Sequence, residues 1–325
     1  MNKLTYRPIE LHSHTINSDG KFTPRKLLES AKDFGYEAIF VTDHNTNAAL
    51  YQIYEKGLDK EILPAFRGSE WTTFYGHMLI LGNEEMGDYT KARPDNISEC
   101  IDEIRADDKD IIIGIAHPYD IGNPYCTGCH WEFEVYDWSK FNYIELANSA
   151  NPQDSISNEK AYKRWINLIG KGYRLAALSG RDWHSPSSKD KNFAVNMLGF
   201  LGDITEKNTL DAIRNLNTYI TYGPIMDLDM VNINLGDEIS EGTKVQGSLS
   251  LTKPQFKNYE NFKIDPKRFV IYNNEKIVFD EDISYNNQIN FDISAESGYI
   301  RFEVIGDLKE KNDYHLVVTS PIFVK

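Results

Sequence analysis

Six of the eight histidines fall in short motifs between residues 12 and 184, each close to a carboxylate or a second imidazole. The runs are His12-Ser13-His14, Asp43-His44, Glu70 followed by His77, His117-Pro118, and Asp182-Trp183-His184. Imidazole nitrogen and carboxylate oxygen suit Zn, Mn or Fe, and a carboxylate such as Glu70 can bridge two ions through its two oxygens. Side chains two apart on a strand face the same way, so His12 with His14, and Asp182 with His184, are each expected to form half of an ion site. A cluster of such ions activates water at neutral pH and stabilises a departing oxygen, which points to hydrolysis. Taken singly, each motif has a plainer explanation. A His-x-His pair is more often two surface histidines, and a histidine ending an apolar strand, as His117 does, is more often a satisfied core residue.

Their joint placement outweighs those explanations. Through about residue 222, short β-rich runs alternate with helical patterns, as in parallel strands joined by crossover helices. Strands are expected at 8–14, 38–43, 62–70, 77–81, 111–117, 143–147 and 174–179. Helix starts are expected at Thr23-Pro24, Asn47, Pro94-Asp95, Ser155 and Thr205. The motifs fall at or just past the C-terminal ends of these strands, where parallel α/β barrels carry their sites. Beyond Tyr222-Gly223-Pro224 the helical period fades, and short alternating runs at 269–272, 276–279, 299–305 and 315–319 are separated by turns such as Asn273-Asn274 and Asn286-Asn287. The expected organisation is a barrel-like domain at 1–224 and a small antiparallel β-sandwich at 225–325. Residues 185–190, rich in serine and lysine, are expected to form a mobile loop at the rim.

Length and charge bound the function. The 325 residues, 41% of them hydrophobic, suffice for a large core. A formal charge of -14 disfavours non-specific binding to duplex nucleic acid or to an anionic membrane. No apolar run approaches the roughly 20 residues needed to span a bilayer, and the polar first ten residues do not read as a secretory leader, so a cytoplasmic protein is expected. The three cysteines are too few for a disulfide framework and are expected to stay thiols in a reducing compartment. Cys126-Thr-Gly-Cys129-His130 matches the haem-attachment pattern, but a loop thiol pair, a redox pair or a further metal position weighs more without export. His130 and His315, away from the strand ends, are read as structural.

These motifs resemble the PHP (polymerase and histidinol phosphatase) superfamily. The run from His12-Ser-His14 to Asp19-Gly20 is similar to its first motif, Thr42-Asp43-His44-Asn45 to its second, His117-Pro118 to its third and Asp182-Trp-His184 to its fourth, in family order over residues 8–224. Gly68-Ser-Glu70, Gly76-His77, Tyr222-Gly-Pro224, Arg301-Phe-Glu-Val and Thr319-Ser-Pro321-Ile322 resemble the CehA/McbA-type branch. The resemblance implies a distorted (β/α)7 barrel holding two or three divalent ions. It implies a first ion on His12, His14, Glu70 and Asp182, a second sharing Glu70 with His77 and His117, and a third on Asp19, His44 and His184. Asp43 would orient a ligand rather than bind an ion.

The expected activity is metal-dependent hydrolysis of a phosphate mono- or diester, on a small molecule or short oligonucleotide, by a metal-activated hydroxide. Arg181, beside a ligand, is the candidate clamp for phosphate oxygens, with a structural ion pair as its alternative. Lys21 is a weaker candidate for the same role. The competing readings are an ester or carbamate hydrolase, as in carbaryl-hydrolase relatives, and a non-catalytic binding protein on a metal-stabilised scaffold. The full ligand set argues against the last.

Overall fold

The computed structural model describes residues 3–84, 86–107, 109–122, 128–186 and 189–325. Its N-terminal part begins with β1 (Thr5–Glu10) and α1 (Pro24–Phe34). Thr23 caps that helix by accepting from the Lys26 N–H (3.3 Å), Pro24 preorganises the first turn, and Gly35 ends it at φ 116°. Its buried stripe of Leu27, Leu28, Ala31 and Phe34 keeps the helical period. There follow β2 (Ala38–Val41), α2 (Ala48–Glu55), α3 (Leu58–Glu61), β3 (Ala65–Thr73), β4 (Gly76–Leu81), α4 (Ile97–Asp107) and β5 (Ile112–Ile115). Then come β6 (Tyr143–Asn148), α5 (Ile156–Gly170), β7 (Ala176–Gly180), β8 (Val195–Phe200), α6 (Glu206–Arg214) and β9 (Thr218–Thr221). The core strands are continuous apolar runs because both faces are covered.

The sheet order departs from an all-parallel barrel. β1–β2, β2–β3, β5–β6 and β6–β7 pair in parallel, whereas β4 runs antiparallel between β3 and β5. The reason is the connection: only Phe74 and Tyr75 separate β3 from β4, and a parallel crossover needs about a dozen residues. β8, which the sequence reading did not foresee, adds antiparallel to the other side of β1, and β9 adds to β8. Among the described residues no ladder joins β7 to β1. One isolated parallel bridge, Ser13 with Trp183, spans the gap at the rim, with Trp183 N–H donating to His12 O (3.1 Å) and His14 N–H to Trp183 O (3.1 Å). No ladder closes the expected distorted (β/α)7 barrel among the described residues: β1 lies inside the mixed sheet between β2 and β8, while β7, at its edge, meets β1 at the Ser13–Trp183 bridge and the β8–β9 side through Ser179 with Asn196 and Ala177 with Thr218.

Beyond residue 224 the chain forms β10 (Ile225–Met230), β11 (Glu238–Ile239), β12 (Lys244–Thr252), β13 (Ile264–Asn273), β14 (Lys276–Asp282), β15 (Gln288–Ser294), β16 (Gly298–Leu308), β17 (Lys311–Thr319) and β18 (Ile322–Val324). β10, β12 and β15 make a three-stranded antiparallel sheet. Phe291 on β15 packs its ring 5.7 Å from Phe269 and 5.6 Å from Phe302, on β13 and β16, so two sheets share an aromatic core. The second of these sheets is not free-standing. β17 pairs antiparallel with β9 through Val317–Thr221, Val318–Ile220 and Thr319–Tyr219, which continues the N-terminal sheet into the C-terminal one. Among the described residues no helix is long and apolar enough to cross a membrane.

Candidate metal centre

The strand ends deliver the motifs to one place, although not in the conformation expected. His12-Ser13-His14 lies beyond β1, and Asp182 and His184 lie beyond β7, so neither pair sits on a regular strand. Asp182 and His117 both adopt left-handed backbone (φ 51° and 27°), a conformation that costs about 1–3 kcal/mol and that surrounding contacts must hold. Asp43 organises the first loop: its Oδ1 accepts from Thr15 N–H (2.7 Å) and the Ser18 hydroxyl (2.6 Å), its Oδ2 from the Thr15 hydroxyl (2.7 Å). The loop then doubles back so tightly that a Cβ on residue 20 would lie 2.6 Å from the His14 carbonyl, which requires the glycine of Asp19-Gly20.

Three overlapping donor groups result: His12, His14, Glu70 and Asp182; His44, Glu70 and His77; and His14, Asp19, His44 and His184. In the first, His12 Nε2 stands 3.2 Å from Glu70 Oε2 and 3.4 Å from Asp182 Oδ1, and His14 Nε2 stands 3.3 and 3.2 Å from the same two oxygens. His12 Nε2, His14 Nε2 and Glu70 Oε2 are buried without a hydrogen bond. Lone pairs facing one another at these separations fit a shared cation, because bonds of about 2.0–2.1 Å give donor-to-donor edges of about 3.0–3.4 Å. Glu70 Oε1 lies 2.9 Å from His77 Nδ1 and 3.0 Å from His117 Nε2, while Oε2 lies 3.0 Å from His44 Nδ1. His44 thus joins Glu70 and His77 in the second group, beside His117. In the third group Asp19 Oδ1 lies 3.1 Å from His184 Nε2 and 3.5 Å from His44 Nε2.

The electrostatics ask for positive charge. Burial opposes a charge on His12, yet Glu145, Glu70 and Asp182 raise its pKa well above the ordinary value. His117, also opposed by burial, is pushed up to about 9 by Glu70. Burial would raise the Asp19 carboxyl, but His184 and His44 hold it well below the usual range. With neutral imidazoles, the carboxylates of Asp19, Glu70 and Asp182 bring excess negative charge into a buried space, which protons or divalent ions must offset. One side is open: the Asp19 side chain is 57% exposed and His184 33%, whereas His12, His14 and Glu70 are fully enclosed.

Two expectations need correction. Arg181 does not face the cluster. It is 4% exposed, with its guanidinium carbon 3.5 Å from the Trp183 ring centre, 3.8 Å from Phe193 and 4.4 Å from Phe34, and burial lowers its pKa while Tyr36 and Glu10 raise it. It is a core cation caged by aromatics. Cys129 is disulfide-bonded, not a thiol, and its carbonyl oxygen faces His117 Nδ1 (3.3 Å); Cys126 and part of the 185–190 loop lie outside the described residues. Two buried carboxylates escaped the sequence reading. Glu10 accepts from the N–H groups of Leu11 (3.1 Å), His12 (2.9 Å) and Arg181 (3.1 Å), and Glu145 lies 2.8 Å from His12 Nδ1. The available signal, at Glu145 alone, was a single charged residue in an otherwise mostly apolar run.

Comparison with known proteins gives the family of the chain. Residues 10–187, more than half of the chain, match the PHP domain, and the chain belongs to that family. A 77-residue stretch is 34% identical to the 5'-3' exoribonuclease Rnm of Salmonella typhimurium, covering 22% of this chain and only 26% of that relative. In fold, the chain is similar to a two-domain protein of Bacteroides vulgatus containing a predicted PHP-like metal-dependent phosphoesterase. The TM-score is 0.56 at 16% identity, over 98% of this chain and 96% of that one. A putative metal-dependent phosphoesterase of Bifidobacterium adolescentis aligns at a TM-score of 0.38 and 16% identity over 63% of this chain and 94% of its own, too weakly to carry an argument.

Proposed function

We propose that the protein is a metal-dependent phosphoesterase, of the CehA/McbA-type branch, that cleaves a phosphate mono- or diester of a small molecule or short oligonucleotide. The observation that carries this reading is the convergence of His12, His14, Glu70 and Asp182 donor atoms, several of them buried and without hydrogen bonds, beside two further donor groups that share Glu70, His14 and His44. Divalent ions held there would supply activated water and a Lewis acid for the phosphoryl oxygens. His12, His14, Glu70 and Asp182 would hold the first, Glu70 with His77 and His117 the second, and Asp19, His44 and His184 the most exposed.

The chain's own groups prepare that chemistry. Thr72 Oγ1 is 3.1 Å from the Glu70 carbonyl, to which it donates, and 2.6 Å from His44 Nδ1, from which it can accept, leaving His44 Nε2 turned toward Asp19. Asp43 holds the loop that carries Asp19. With Arg181 buried elsewhere, exposed Lys21, whose backbone N–H donates to the His184 carbonyl (2.6 Å), is the candidate that remains for contacting a phosphate oxygen. An acidic surface favours small or single-stranded substrates over duplexes. The test is elemental analysis of the purified protein, followed by p-nitrophenyl phosphate, its diester and 1-naphthyl acetate on the same metal-loaded sample. Turnover of either phosphoester, abolished by Asp182→Ala or His12→Ala, supports the reading. Turnover of the naphthyl ester alone would replace it with a carboxylester hydrolase.

A further inference from the structure

Glu145 sits on β6, every residue of which is buried, and is itself 0% exposed. A buried carboxylate is costly unless donors surround it. Its donors are specific. Oε1 lies 2.8 Å from His12 Nδ1, while Oε2 accepts from the His117 N–H (2.9 Å) and from Asn148 Nδ2 (2.7 Å). Asn148 is anchored in turn by Asn158 on α5: its N–H donates to Asn158 Oδ1 (3.1 Å), and Asn158 Nδ2 donates to its carbonyl (3.1 Å). One carboxylate therefore ties the first motif to the third, at the imidazole of one and the strained backbone of the other. The room for it is made by Gly180, where a Cβ would lie 1.9 Å from Glu145 Oε1 and 2.4 Å from Cδ.

The geometry also sets the ring orientation. With Nδ1 donating to Glu145, His12 presents its Nε2 lone pair toward Glu70 Oε2 and Asp182 Oδ1, the side from which an ion would be held. We propose that Glu145 is the positioning residue of the metal centre: by holding His12 in the Nδ1–H tautomer and His117 by its backbone, it sets metal affinity without touching metal or substrate. A carboxylate behind a metal-binding histidine typically accounts for about 10–100-fold in affinity. The inference rests on the metal-centre reading above.

The test is metal titration of apo wild type, Glu145→Gln and Gly180→Ala with Zn2+ and Mn2+, in competition with a chromophoric chelator, alongside 15N NMR of the His12 imidazole. Glu145→Gln is expected to weaken binding about 10–100-fold, to lose the Nδ1–H signature of His12, and to regain kcat in excess metal with KM unchanged. Gly180→Ala keeps the charge but displaces it, and is expected to weaken binding in the same direction. Should Glu145→Gln fail to fold, Glu145→Asp, which retains charge with a shorter reach, gives the same readout. Wild-type metal affinity and an unchanged His12 spectrum in the folded variants would overturn the proposal, since a merely structural role lowers Tm alone. A wild type that binds metal but cleaves no phosphoester refutes the phosphoesterase reading and leaves this one standing.

Discussion

Arg181→Met separates two accounts of one side chain. If the guanidinium served the phosphate, its loss would lower turnover and spare stability; the structure predicts the reverse. The substitution roughly preserves volume but removes a cation lying 3.5, 3.8 and 4.4 Å from three ring centres and one of the charges that offset the burial of Glu10, 1% exposed. A desolvated cation over an aromatic ring is worth about 2 kcal/mol or more, and with three rings and the buried polar partners left behind the loss is about 3–5 kcal/mol. For 325 residues, at about 2.1 cal/mol/K of unfolding entropy each, the total is about 0.7 kcal/mol/K, so each kcal/mol moves Tm by about 1.5 °C. The expected fall is about 4–7 °C. Calorimetry at fixed saturating metal reads it, because bound ions shift Tm by themselves. At a temperature where both forms are folded, kcat should stay within about threefold of wild type. A Tm unchanged within 1–2 °C together with a kcat lowered tens of fold would refute this reasoning and restore Arg181 to the substrate.

Other consequences can be checked independently. Asp43→Asn replaces an acceptor that holds Thr15 and Ser18, so the loop bearing Asp19 should loosen; the ion at Asp19, His44 and His184 should lose about 10–100-fold in affinity while the His12–His14 site changes little, and equal weakening at every site would argue against it. Burial would raise the Glu303 carboxyl, but His315 and Arg301 hold it at about 2, and burial opposes charge on His315 while Glu303 raises its pKa. The His315 contribution is therefore complete below its unfolded value of about 6.5 and is lost as pH rises through its higher folded value, whereas that of Glu303 is lost between about pH 4.5 and 2. His315→Gln should accordingly cost most stability at pH 5–6 and least at pH 9 in urea titrations; a pH-independent difference would contradict the pairing. Gly114→Ala would place a methyl 2.0 Å from the Tyr143 ring and should lower Tm by several degrees, seen as a shifted melting curve with unchanged metal stoichiometry.

What could be read from the sequence was chemistry tied to local pattern. The four motifs announce themselves because donor types recur just after apolar runs, and Thr23-Pro24, Ser155 and Thr205 announce helices because capping is a matter of neighbouring residues. Side-chain direction was not readable. Arg181 and Asp182 are adjacent, yet the left-handed turn at Asp182 sends one into the aromatic core and the other into the donor cluster. The reversal of β4 was legible in principle from the two-residue link at Phe74 and Tyr75, but a strand's apolar pattern is the same in either direction. Glu145 is not legible because a buried carboxylate of this kind declares its purpose only through partners far away in the chain, here His12 at a separation of 133 residues.

The ladder between β9 and β17 makes the last hundred residues poor material for dissection. A fragment stopping at residue 224 would leave the β9 edge that pairs with Val317, Val318 and Thr319 bare, an invitation to stick to other copies. The same cut would strip Ser320 from Ala177 N–H (2.8 Å) and Thr218 Oγ1 (2.6 Å), close to where the chain leaves for Asp182 and His184. Evolutionary exchange of this C-terminal part for another would thus have to supply a matching strand, which makes the two halves one heritable unit.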